Sequence, residues 1–121
     1  MRPAFDIKML ADEYVQRIMV STYQVPKSAQ QLSEECDIPL PTCHRKLREM
    51  ERAGLVRFRD VDSSEKGRLI KLYSCELESS ALVFENGSFK LKFNLKEENG
   101  GEDKWIVLAS LDSGSKKAPS A

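Results

Sequence analysis

Apolar side chains recur three and four residues apart in the first half of the chain and alternate in much of the second. In LADEYVQRIMVSTYQ, Val15, Ile18, Met19 and Thr22 fall on one helical face behind Asp12, a suitable N-cap, and Pro26 ends the helix. SAQQLSEEC predicts a short second helix. Ser28 and Gln31 have capping-box spacing, in which each side chain accepts from a backbone donor at the other position, and Leu32 and Cys36 share a face. DIPLP is a tight connection, because its two prolines do not continue a helix. A third helix is expected from Pro41 through TCHRKLREMERA to Gly54, a suitable residue just past a helix end. Its apolar stripe is Cys43, Leu47 and Met50, while Thr42, His44, Arg45, Arg48 and Arg52 point elsewhere.

After Gly54 the period changes to two. LVRFRDV and RLIKLYSCE read as strands joined by the polar DSSEKG. ALVFENGSFKLKFNL predicts a second hairpin, with Asn86-Gly87 tolerating the positive φ angles of a type I′ turn. KWIVLAS is a further strand after the acidic KEENGGED, and the small, polar tail DSGSKKAPSA has the composition of disorder. The last three strands predict a meander with one apolar face, led by Phe89, Leu91, Phe93 and Trp105. That face needs a cover, from the rest of the chain or from a second copy. The expected fold class is α+β. Three helices and a hairpin occupy residues 1–78, a β-strand extension residues 79–112, and a disordered tail residues 113–121. There is no internal repeat.

Charge changes this picture only locally. The 121 residues carry 19 Lys and Arg against 19 Asp and Glu, a balance that by itself argues against strong nucleic-acid binding. The net charge is −2 over residues 1–39, +4 over 40–71 and −2 over 72–121, so a basic middle lies between acidic flanks. Three cysteines without a C-x-x-C pair argue for reduced thiols. No stretch approaches the roughly 18 apolar residues of a membrane span, and the N-terminus lacks the apolar run of a signal peptide. The expected compartment is the cytoplasm.

Taken in order, LADEYVQRIM, QQLSEECDIPLPTCHRKLREMERAGLV and RDVDSSEKGRLIKLYS resemble the winged helix-turn-helix domain of ArsR-like transcription regulators. The likeness covers roughly residues 10–75, and its most specific part is LREMERAGLV followed by a charged hairpin. The resemblance implies a DNA-binding regulator, usually dimeric. It does not reach residues 77–121, where such proteins often place a dimerising helix. Strands are expected there, and we expect them to help form a homodimer instead.

The residues themselves agree with that implication. A helix that enters the major groove needs an apolar stripe to hold it and cationic residues on its other side. Arg45 has the fork to meet guanine O6 and N7, and His44 and Thr42 stand near the helix start, in reach of bases or phosphates. Lys46 and Arg48 are placed to serve the DNA backbone, and Lys66 and Arg68 flank the wing tip beside neighbouring phosphates. These seven residues are the candidate contacts to double-stranded DNA.

Blander readings stand beside each of these. Glu49 has the spacing to pair with Arg45 and Arg52 on a solvated helix face. A winged-helix module for protein–protein contact in a larger assembly is the alternative function, consistent with zero net charge. Relatives in the resembled family sense metals through paired cysteines in the first helix of the helix-turn-helix, and Ser33 and Glu35 fill those places here. Cys36 and Cys43 lie on apolar stripes and are expected to pack as small hydrophobes. His44, about 100° round the helix from Cys43, diverges from it. No metal or cofactor is expected. With one histidine, no Gly-rich phosphate loop and no spaced nucleophile and base, no catalytic residue is assigned. Asp60 and Asp62, on one strand face, read as solvated charge. Phe89, Phe93 and Trp105 suit half-buried packing better than base stacking.

Overall fold

The computed structural model describes residues 6–63, 67–96 and 102–110. The tail expected over 113–121 and the wing-tip Lys66 lie outside the described residues. Two compact units divide the chain, Met1–Glu76 and Leu77–Ala121.

The first unit runs α1 (Ile7–Leu10), α2 (Glu13–Thr22), α3 (Ala29–Cys36), α4 (Leu40–Arg52), β1 (Val56–Ser63) and β2 (Arg68–Cys75). Local chemistry sets the helix ends. Asp12 Oδ1 accepts from the N–H groups of Tyr14 and Val15 at 2.8 and 3.1 Å, which fixes the start of α2. The capping box of α3 is closed both ways: Gln31 N–H donates to Ser28 Oγ at 3.2 Å, and Ser28 N–H to Gln31 Oε1 at 2.9 Å. Asp37 ends α3 by taking φ 57°, and Ile38 N–H turns back to the Ser33 carbonyl at 3.0 Å. Pro41 sits in the first turn of α4, and Gly54, at φ 83°, follows its end. The sequence reading missed α1, a single turn capped by Asp6, which accepts from Met9 N–H at 3.0 Å.

The expected helical stripes form the core. Val15 and Ile18 of α2, Leu32 and Cys36 of α3, and Cys43, Leu47 and Met50 of α4 are buried, together with Leu55, Val56, Tyr73 and Cys75. Met19, expected on the same face, is half-buried. Thr22 is buried too, and its hydroxyl is satisfied by donating to the Ile18 carbonyl at 2.8 Å. The hairpin pairs antiparallel from Val56 opposite Cys75 to Ser63 opposite Arg68. On the other edge of β2, Tyr73 and Lys27 exchange backbone hydrogen bonds of 2.8 and 3.0 Å. This bridge ties the α2–α3 connection to the hairpin.

The second unit is an antiparallel sheet in the order β3 (Leu77–Glu85), β4 (Ser88–Leu95), β5 (Lys104–Ser110). Asn86 and Gly87, at φ 52° and 75°, make the tight β3–β4 turn that their sequence predicts. One expectation is corrected. Trp105 pairs with Lys92, and Lys90 with Val107. Side chains directly opposite in a ladder share a face, so Trp105 stands with the lysines, away from Phe89, Leu91 and Phe93. Alternation shows which residues of one strand share a face. Pairing register decides which face of the neighbour they join, and β4–β5 carries an irregularity at Phe89/Lys90. The fold is thus α+β, a winged helix-turn-helix followed by a C-terminal antiparallel β extension.

Candidate nucleic-acid interface

Helix α4 is held by its buried stripe, which leaves two cationic stripes with different surroundings. Leu40, His44 and Arg48, four residues apart, line an open groove of about 780 Å³. Its other walls are the N-terminal turn of α3, at Ser28, Ala29 and Gln30, and strand β2 from Arg68 to Lys71 with Tyr73. None of the described residues lining it is acidic. Three permanent cations, Arg48, Arg68 and Lys71, therefore face one concavity with the chain's single histidine. The free N–H groups at the start of α3 add positive potential on the same side. Lys71 stands opposite Asp60 in the hairpin and leans over the diagonal Phe58, its Nζ lying 4.3 Å from the centre of that ring. Burial pushes the Tyr73 phenol above its ordinary pKa, so it stays a neutral hydrogen-bonding group at physiological pH.

The second stripe is more open. Arg45 stands about 100° round the helix from His44, with Nη1 3.9 Å from Glu49 Oε2. Both side chains are roughly half exposed, so the pair is weak and leaves the guanidinium available. Thr42, one turn earlier, is half-buried. Lys46 turns towards the fold. Its Nζ lies 2.5 Å from Asp12 Oδ2, with the two side chains only 16% and 28% exposed. The hydrogen bond from Lys46 is the main reason the Asp12 carboxyl titrates below its ordinary value. One carboxylate thus caps α2 with one oxygen and pins α4 with the other.

The groove thus gathers His44, Arg48 and Arg68, with Arg45 on the adjoining stripe. It also includes Lys71 and the start of α3, which sequence reasoning missed. The signal for Lys71 was present: it lies two residues before Tyr73, on the same strand face, and Tyr73 is tied into the fold. The α3 wall carried no such signal, because its approach to β2 depends on the Lys27–Tyr73 bridge.

The cysteines lie inside the fold. Cys36 and Cys43 donate to the backbone carbonyls of Arg17 and Ala29 at 3.7 and 3.6 Å, and burial pushes the Cys43 thiol up to about 11. Among the described residues, no group of three or more His, Cys, Asp and Glu side chains is placed to hold a metal ion. None of the described helices is long and apolar enough to cross a membrane.

Helix, turn, helix and flanking hairpin around one basic groove define the class, a winged helix-turn-helix domain. Residues 10–58 match the family described as a helix-turn-helix domain, a span that runs from the end of α1 into β1. No curated protein matches the chain.

Proposed function

We propose that the chain is a cytoplasmic, ArsR-like transcription regulator that grips duplex DNA between α4 and the β1–β2 wing. The observation that carries this reading is the groove, where Arg48, Arg68, Lys71 and His44 converge with no acidic side chain among the described lining residues. A zero net charge is no obstacle, because phosphate binding depends on the local field. In this reading Arg45 and Thr42 face base edges in the major groove. Arg48, Arg68 and Lys71 neutralise phosphates, with Lys66 at the wing tip, and the N-terminal turn of α3 supplies backbone N–H donors to the same strand. Lys46 holds α4 in place from behind. Regulation is by occupancy, which blocks or assists transcription at the bound site.

The functional protein in this reading is a homodimer built through the second unit. Leu82, Phe84 and Phe89 share one face of its sheet and are 51, 66 and 43% exposed, a density of exposed apolar side chains that usually marks an interface. Two-fold symmetry also suits a reader of paired half-sites.

The test is binding to a fluorescent duplex of arbitrary sequence, measured by anisotropy as salt rises. Each neutralised phosphate contributes about −0.9 to the slope of log affinity against log salt. Arg48→Ala with Arg68→Ala should reduce that slope by about 1.8. Absence of duplex binding at low salt refutes the reading and favours the protein-interaction module.

A further inference from the structure

The lysine-bearing face of the second unit has a composition that duplex binding and dimerisation leave unused. Two cross-strand rows can be read from the register: Ala81, Lys92, Trp105 and Val83, Lys90, Val107. Trp105 and Val107 are 51 and 57% exposed. The Nζ atoms of Lys90 and Lys92 lie 5.5 and 5.8 Å from the centre of the indole ring. An acidic residue, Asp103, stands beside this face. It lies 3.9 Å from Lys92, and it also accepts from the Asn94 amide at 3.1 Å. Ala81, Val83 and, at the far end of the strand, the exposed Glu85 occupy the same face of β3.

We infer that this face is a binding site for single-stranded nucleic acid, with the Trp105 indole stacking an unpaired base and Lys90 and Lys92 neutralising its flanking phosphates. A half-exposed indole offers a flat π surface. A duplex keeps its base faces inside the stack, so only an unpaired strand presents a matching one. The two lysines stand two residues apart on one strand, about 6.8 Å. That separation suits successive phosphates of an unstacked strand, and both ammoniums lie within 5.8 Å of the indole ring centre. An acidic peptide would use the lysines and gain little from the ring. An apolar partner would have to bury the Lys90 and Lys92 ammoniums, with only Asp103 beside Lys92 to offset them.

Trp105 is the only tryptophan in the chain, so its emission reports this face alone. The experiment titrates the full chain with an oligothymidylate about a dozen nucleotides long, exciting where tyrosines do not absorb. Stacking should quench the emission saturably. Lys90→Ala with Lys92→Ala should flatten the salt slope by about 1.4, the single-strand value for two phosphates. With a labelled oligonucleotide, Trp105→Ala should weaken binding about ten-fold while helical ellipticity is unchanged. Arg48→Ala with Arg68→Ala, in the groove of the first unit, should leave the quench intact. Its failure is therefore distinct from a failure of duplex recognition. Three results overturn the inference: emission unchanged at saturating oligonucleotide, a quench lost in the groove variant, or an oligoglutamate of equal charge binding as tightly as the oligothymidylate.

Discussion

Replacing Asp12 or Lys46 separates a residue that holds the reading helix from one that touches DNA. Asp12→Ala removes the N-cap of α2, which accepts two backbone N–H groups, at a cost of about 1 kcal/mol. It also leaves the 16%-exposed Lys46 ammonium without its partner. A charge-assisted hydrogen bond is worth about 1.5–3 kcal/mol, and partial exposure puts this one at the low end. The sum is about 2–3 kcal/mol, or a fall in melting temperature of roughly 10–20 °C for a unit of this size. Asn caps as well as Asp, so Asp12→Asn should lose only the ion pair, about 1–2 kcal/mol. Lys46→Met should cost a similar amount, and the double variant little more than either, a coupling of about 1 kcal/mol. The assay is urea or thermal unfolding followed by helical ellipticity, because every described helix lies in the first unit. Acid supplies a second readout. The Asp12 carboxyl titrates lower in the folded protein than its ordinary value of 3.8. The stability it contributes is therefore present above that pH and is lost as pH falls below it. Lys46→Met should blunt that loss. Additive single variants, or a duplex salt slope reduced by about 0.9 in Lys46→Met, would place Lys46 on the DNA side and refute the argument.

Three further outcomes follow from the same geometry. Arg45→Ala should cost about 1–3 kcal/mol on a preferred site and relax the choice of base there, whereas Arg48→Ala should weaken all duplexes alike, both read by gel-shift titration against a panel of sequences. Burial raises the Cys43 thiol from its ordinary 9.0 to about 11. The unfolded chain therefore ionises first, and stability falls as pH rises between those values. Cys43→Ala, though less stable at neutral pH, should show a smaller fall, measurable by urea unfolding across that range. Phe84→Glu, at a 66%-exposed position, should convert a dimer to a monomer by light scattering without changing the helical melt. A wild-type protein that is monomeric at tens of micromolar removes the dimer from the proposal.

The first unit was legible because its signals are local and agree with one another. A capping box, the two prolines of DIPLP, a first-turn proline and a C-terminal glycine each bound a helix, and the buried stripes lie inside those bounds. The basic groove was legible only in part. Helical periodicity put Arg45 and Arg48 on the surface, but all exposed faces of α4 look alike in one dimension. The direction Lys46 takes depends on Asp12, 34 residues earlier. That carboxylate was read as a cap because its first function is local. Its second is tertiary, and no spacing rule connects the two positions.

The second unit shows where such reading stops. In β4 the alternation is nearly perfect, and it correctly separates Phe89, Leu91 and Phe93 from Lys90 and Lys92. The strand KWIVLAS has no comparable alternation, since Trp105, Ile106, Val107 and Leu108 are all apolar. Its own sequence therefore does not choose a face, and grouping by hydrophobicity placed Trp105 with the phenylalanines. The ladder places Ile106 opposite Leu91 and Trp105 opposite Lys92 instead. Ile106 is the better fit to the apolar side: it is half-buried, while Trp105 and Val107 are exposed. A β-branched aliphatic has no polar handle, whereas an indole keeps an N–H donor and a π face that profit from water and cations. The register therefore places Ile106 on the apolar face and Trp105 among the lysines, with Val107 exposed beside it. It also turns a tryptophan that looked like core into an exposed ring on the face that carries Lys90 and Lys92.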